Sequence, residues 1–295
     1  RNAVLVQLDL QRADLSDALL NGANLSGSNF ESAIFEGAEL LGAELALARY
    51  DRETRWPDGF EFRTVQALGP EAQLDNVLFP AQFSAVGVDL SGASLVGARL
   101  NSVDLSDATL VEADMRGVLL PDADLSGADL SGAVLSASVS FGVRGCPAAL
   151  PEPWRCILQP TVSTFALIGP GADLRDANLR SINLVGADLT GADLRDADLS
   201  GAVLDDTLLS GARSFDMQGD CPRTLPSSWS CALQPANARR VLAGPGVNLR
   251  SADLSDAVLV GVTLRNATLR FADLSGASLT NGDLTAADLQ AANLT

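Results

Sequence analysis

Four cysteines are the side chains of this 295-residue chain best suited to covalent chemistry, and they fall into two pairs of equal spacing, Cys146 with Cys156 and Cys221 with Cys231. Such pairs serve as disulfides, as metal ligands or as reactive thiols. Structural zinc favours a tighter Cys-x-x-Cys spacing or histidine, and the chain has no His. The proline after the first cysteine and the wide gap match no oxidoreductase motif. The even number and duplicated spacing therefore predict two local disulfides, Cys146–Cys156 and Cys221–Cys231, each closing a small loop worth about 2–3 kcal/mol. Bonds of this kind persist in oxidising surroundings, so the expected location is extracytoplasmic: secreted, periplasmic or thylakoid-lumenal. No charged-then-apolar leader opens the given sequence, and no apolar run reaches the roughly 18 residues a membrane helix needs, so membrane insertion is not expected.

Other chemistry is poorly supplied. Without histidine the commonest general base is missing. No Gly-rich phosphate loop, nucleophile elbow or paired-carboxylate arrangement stands out, and the Gly-Gly-x-Gly-x-Asp calcium loop is absent. The reading is of a chain with no catalytic residue, no metal site and no cofactor. Asn24, Asn266 and Asn293 each begin an Asn-x-Ser/Thr acceptor pattern, of little weight in a chain so rich in Asn-Leu-Ser units. The three tryptophans, Trp56, Trp154 and Trp229, are candidate partner contacts together with Phe60, because Trp is over-represented at binding hot spots. Trp154 and Trp229, set between Pro and Cys, are expected to pack their loops onto the body of the protein; Trp56, with no cysteine beside it, is the better contact.

The elements that must position these residues are announced by a period of five. Leucine stands at every fifth position through the runs Leu5–Leu45, Leu90–Leu135, Leu174–Leu209 and Leu249–Leu294, about 37 positions of which about 34 are Leu. Alanine usually precedes it by two residues. Five fits neither the 3.6 of a helix nor the 2 of a strand. In Ala128-Asp129-Leu130-Ser131-Gly132 the Ala and Leu can share the inner side of a short extended step, while Gly, Asp, Asn and Ser suit the corner that follows. Phe30, Phe35 and Met115 take the central position, and Leu8, Val88, Val103, Val118, Ile182, Val247 and Val262 take the small one. All are apolar, as inward positions require. The Asp columns are read as solvated carboxylates.

These residues resemble the pentapeptide-repeat family. The resemblance implies an all-β fold, a right-handed quadrilateral parallel β-helix with about four pentads per coil and coils spaced by about 4.8 Å. One solenoid over 1–295 is expected, with repeat runs 3–50, 88–136, 172–211 and 247–295 and three loop insertions at approximately 51–87, 137–171 and 212–246. The second and third insertions align at an offset of 75: Cys146-Pro147 with Cys221-Pro222, Trp154 with Trp229, Cys156 with Cys231, and Gln159-Pro160 with Gln234-Pro235. Each returns to the repeat through Gly-Pro, at Gly169 and Gly244, as the first does at Gly69. Leu74 and Phe79 stand one register away from Leu90, so an extra residue, and a bulge, is expected near Phe83–Gly87.

A net charge of −17, with every basic residue an Arg, disfavours direct binding to nucleic acid or anionic membrane. The expected function is a non-enzymatic structural, scaffold or protein-interaction role, presenting disulfide-braced loops on a rigid acidic solenoid. Partners are another protein or the chain itself, head to tail or within a larger assembly, since both ends lie inside the repeat and expose open coils. The resemblance implies an alternative, an acidic DNA mimic that binds a type II topoisomerase.

Overall fold

The computed structural model describes residues 3–60 and 67–295; residues 61–66 of the first expected insertion lie outside the described residues. The fold is a β-helix, and no helix occurs among the described residues. It divides into two compact units, one of Arg1–Leu119, Ala123–Val134 and Pro147–Pro151, the other of Leu120–Asp122, Leu135–Cys146 and Glu152–Thr295.

The first unit shows how a pentad becomes one step of the coil. Ser91 and Gly92 turn a corner closed by the Ala93 N–H donating to the Leu90 carbonyl at 3.0 Å. Gly92 takes a φ of +66°, the left-handed geometry that small and Asx residues reach most cheaply. After the corner the chain pairs with itself one coil later: Ser94 bridges Asp114 and Asp114 bridges Val134, all parallel. The Leu90 N–H donates to Thr109 O at 2.7 Å, and Asp114 N–H donates to Ala93 O at 2.9 Å. Leu90, Ala93, Leu95, Ala98 and Leu100 are fully buried, each Leu contributing about 1.5–3 kcal/mol by leaving water.

Two faces of this unit carry six residues instead of five. Ile34 bridges Arg55 rather than residue 54, and Leu78 bridges Arg99 while Ser84 bridges Asp104. The extra residue expected near Phe83–Gly87 is therefore taken up earlier, between Leu78 and Ser84, at Phe79-Pro80. Proline has no N–H to offer a ladder, so it fits where the pairing is already interrupted. Tyr50-Asp51 makes the same longer step between Arg49 and Arg55. Ala72, Leu74, Val77 and Phe79 are buried, so the wall has resumed well before Leu90.

The second unit repeats the ladder, with Leu174 N–H donating to Asp193 O at 2.9 Å and Asp193 N–H to Ala172 O at 2.9 Å. It also holds every named strand: β1 Phe141–Val143, β2 Arg155–Gln159, β3 Thr164–Ile168, β4 Ser230–Gln234 and β5 Arg239–Ala243. β2 and β3 form an antiparallel hairpin, with β1 on the far side of β3; β4 and β5 form a second hairpin. Where β1 stands in the first, Met217 makes a single antiparallel bridge to Arg240 in the second.

Asparagine and aspartate before the central Leu do more than face water. Asp104 Oδ1 accepts the Ser106 N–H at 3.0 Å and the Ser106 hydroxyl at 2.6 Å. The same pair of bonds recurs at Asp14, Asp89 and Asp253. The carboxylate thus holds the corner that follows it, an Asx-type turn repeated up the wall.

Candidate interaction site

Both hairpins have the same register. Cys156 stands opposite Leu167 in the first, and their counterparts Cys231 and Leu242 stand opposite each other in the second. Cys146 and Cys156 have their sulfurs 1.90 Å apart and Cα atoms 5.7 Å apart; for Cys221 and Cys231 the figures are 1.96 Å and 5.9 Å. All four cysteines are half-buried. The segment between each pair carries its tryptophan inward, and Trp154 and Trp229 pack against the core of the second unit.

The seat for each ring is the glycine of the Gly-Pro return. A methyl group added at Gly169 would stand 2.1 Å from the Trp154 indole, and one at Gly244 would stand 2.1 Å from that of Trp229. At Gly69 the neighbour is the Tyr50 ring, 2.5 Å from such a methyl. Gly69, Gly169 and Gly244 are therefore alike in that each has an aromatic ring laid against its backbone, where only a residue without a side chain fits. The Gly-Pro pair is the visible signal in the sequence; the ring it serves lies well upstream, at Tyr50, Trp154 and Trp229.

A second lock has no signal in the sequence beyond the duplicated Gln-Pro. Gln159 is buried, its Oε1 accepting the Gly142 N–H at 3.0 Å and the Thr164 hydroxyl at 3.1 Å while its Nε2 donates to Asn178 O at 2.7 Å. Gln234 does the same work: Oε1 accepts the Asp216 N–H at 2.7 Å, and Nε2 donates to Asp253 O at 2.7 Å. Asn178 and Asp253 are related by the same offset as the glutamines, so each hairpin is tied to the same point of the coil that follows. Ser140 and Ser214 add hydroxyl bonds to Leu167 O and Leu242 O, at 2.8 and 2.7 Å. Outward, the hairpins leave Leu158 and Leu233 50 % and 43 % exposed.

Trp56 and Phe60 sit elsewhere, in the first unit. Trp56 is stacked on Phe35 and on Phe60, both at 4.8 Å between centroids and nearly parallel, with Tyr50 edge-on at 5.7 Å. Tyr50 donates its hydroxyl to Pro70 O at 2.8 Å, and burial pushes its phenol well above the ordinary value. The Trp56 ring is thus flanked by the stacked rings of Phe35 and Phe60.

The arginines of the second unit mostly answer its carboxylates. Arg175 reaches Asp173 at 2.6 Å and Arg195 reaches Asp193 at 2.6 Å. Although burial alone would push Asp193 up, the hydrogen bonds from Arg195 hold it below the ordinary carboxylate range. Among the described residues no group of His, Cys, Asp and Glu is placed to hold a metal ion.

The family model described as pentapeptide repeats matches in eight copies, over residues 1–48, 86–120, 98–136, 172–211 and 246–281. Solved structures similar to the chain include HetL from the cyanobacterium Nostoc sp. strain PCC 7120, described as involved in heterocyst differentiation regulation. It is 26 % identical over 98 % of this chain and 87 % of its own, with a TM-score of 0.17. Another is full-length QnrB1, a plasmid-mediated fluoroquinolone resistance protein, 18 % identical over 99 % of this chain and 92 % of its own, with a TM-score of 0.18. No match was found among curated proteins.

Proposed function

The chain belongs to the pentapeptide-repeat family, and from that premise we propose a non-enzymatic scaffold of an extracytoplasmic compartment that presents two rigid hairpins to a protein partner. In this reading the body is a right-handed, four-sided β-helix interrupted by three insertions. The partner is another protein or a larger assembly containing it. The observation that carries the proposal is the duplication: two hairpins of one register, each with a cysteine pair at bonding distance, a tryptophan seated on glycine and a glutamine tie to the next coil. Repeating that many constraints serves presentation of the hairpins; closing a coil needs none of them. Disulfides in both modules favour an oxidising surrounding.

The test is intact mass under non-reducing conditions, with and without alkylation, followed by peptide mapping. Cys146–Cys156 and Cys221–Cys231 linked in protein isolated without reductant support the reading. Four alkylated thiols would remove the extracytoplasmic assignment. The net charge of −17 favours one other reading, the acidic DNA mimic acting on a type II topoisomerase. A supercoiling assay at large protein excess decides it: inhibition or protection of gyrase would replace the scaffold reading, and no effect would leave the mimic without support.

A further inference from the structure

The duplication extends into the wall that follows each hairpin, and there the two copies differ in charge. Residues 173–196 correspond to 248–271 at the same offset of 75. Two arginines are kept, Arg175 as Arg250 and Arg195 as Arg270. The four carboxylates around them are all replaced: Asp173 by Asn248, Asp176 by Ser251, Asp193 by Thr268 and Asp196 by Phe271. In the first copy the arginines are neutralised. Arg175 lies 2.6 Å from Asp173 and 4.0 Å from Asp193, and Arg195 lies 2.6 Å from Asp193. Arg213 also approaches Asp193, at 3.7 Å, and Arg239 approaches Asp196, at 3.8 Å.

In the second copy the cations face a ring. The Arg250 guanidinium lies 4.9 Å from the Phe271 centroid and that of Arg270 lies 5.8 Å away. Arg250 is exposed and makes no ion pair among the described residues, and the nearest acid to Arg270 is Asp288 at 3.9 Å. Phe271 is 49 % exposed and takes a φ of +60°. Its counterpart Asp196 has almost the same φ, +59°. Aspartate tolerates that left-handed conformation; a bulky aromatic there is an outlier, of a kind that gathers at functional sites. Phe271 is thus a bulky residue in a left-handed conformation, half exposed, between one cation without an ion pair and one loosely paired.

We infer that Arg250, Arg270 and Phe271 form a docking site for a short acidic segment of a partner protein, whose carboxylates meet the two guanidiniums while an apolar side chain covers the ring. Arginine and aromatic side chains dominate protein-interface hot spots, and arginine binds carboxylates in a planar, two-pronged geometry. The chain's overall charge repels extended polyanions such as duplex DNA, which leaves a compact carboxylate-bearing stretch as the occupant. The site lies on the repeat wall and does not depend on what the hairpins bind.

Fluorescence anisotropy of a labelled short peptide of glutamates with a central phenylalanine, at low salt, tests it on the full chain. Binding is expected to saturate, to weaken as salt is raised, and to fall about tenfold or more in Phe271→Asp. That variant restores the residue found at the same φ in the first copy, so its melting temperature is expected to hold or rise. Asn248→Asp with Thr268→Asp, which restores two carboxylates and leaves the ring, is expected to weaken binding similarly. Unchanged affinity in both variants would overturn the proposal, as would a duplex DNA probe binding as tightly as the peptide. A wild-type dimer in sedimentation that Phe271→Asp abolishes would assign the site to a second copy of the chain and overturn it as well.

Discussion

Gly169 and Gly244 have no room for a methyl group, because the indoles of Trp154 and Trp229 occupy the space a Cβ would need. Gly169→Ala and Gly244→Ala are each expected to destabilise the second unit by about 1–3 kcal/mol through overpacking, read as a shift in denaturation midpoint; an unchanged midpoint would mean that the ring moves freely. The side chains that seal these loops are visible in the sequence as types without partners. The even number and duplicated spacing of Cys146, Cys156, Cys221 and Cys231 favour the two local pairs, whose sulfurs stand at bonding distance. The glycine cannot be matched to its tryptophan, since the contact joins well-separated positions in a stretch with no period. The role of Asp in the pentad is equally hidden. The repeat shows that a small polar residue belongs before Leu, but only the bond from the Ser106 N–H to Asp104 explains why one that accepts at short range is preferred.

Each hairpin is held to the coil after it by one buried glutamine. Gln159→Leu and Gln234→Leu would strand the carbonyl and amide groups those side chains satisfy, at a cost of about 1–3 kcal/mol each. Hydrogen exchange in β2–β3 or β4–β5 should rise with little change in the coils farther along; exchange rising everywhere would show that the hairpin and the wall unfold together. The coils themselves are readable residue by residue, because inward Leu and Ala follow from a period that nothing else produces. The hairpins are not. Arg155–Gln159 and Ser230–Gln234 are too short for alternation to show, and a Gln-Pro pair in an interruption reads as an exposed turn. The longer step at Phe79-Pro80 is legible in kind but sits a little earlier than expected, because the pattern counts the extra residue without saying which peptide leaves the ladder.

Across the whole molecule the repeated Asp-to-backbone bonds make stability sensitive to acid. Hydrogen bonds from Thr285, then Arg265, bring Asp283 from the ordinary 3.8 down to about 2. Ser16 and Ser131 hydroxyl and amide donors lower Asp14 and Asp129, and Ser275 donors lower Asp273. A carboxyl group with a lowered pKa in the folded state stabilises fully above its unfolded value and loses that contribution as pH falls through the folded one. Stability should therefore be level above about pH 5 and decline from about pH 4 to about pH 2; a level profile down to pH 2 in thermal melts would mean these bonds do not differ in strength between protonation states. Finally, pairing such as Ser94 with Asp114 sets a unit in which the gene can lengthen or shorten the protein. Excising residues 95–114 brings the next coil onto the faces it already fits, whereas excising 95–109 turns every later face by one position and mismatches each column of side chains. The first deletion is expected to fold cooperatively and the second to aggregate, as circular dichroism and solubility would show, so that mutation by whole coils is tolerated while mutation by single pentads is purged.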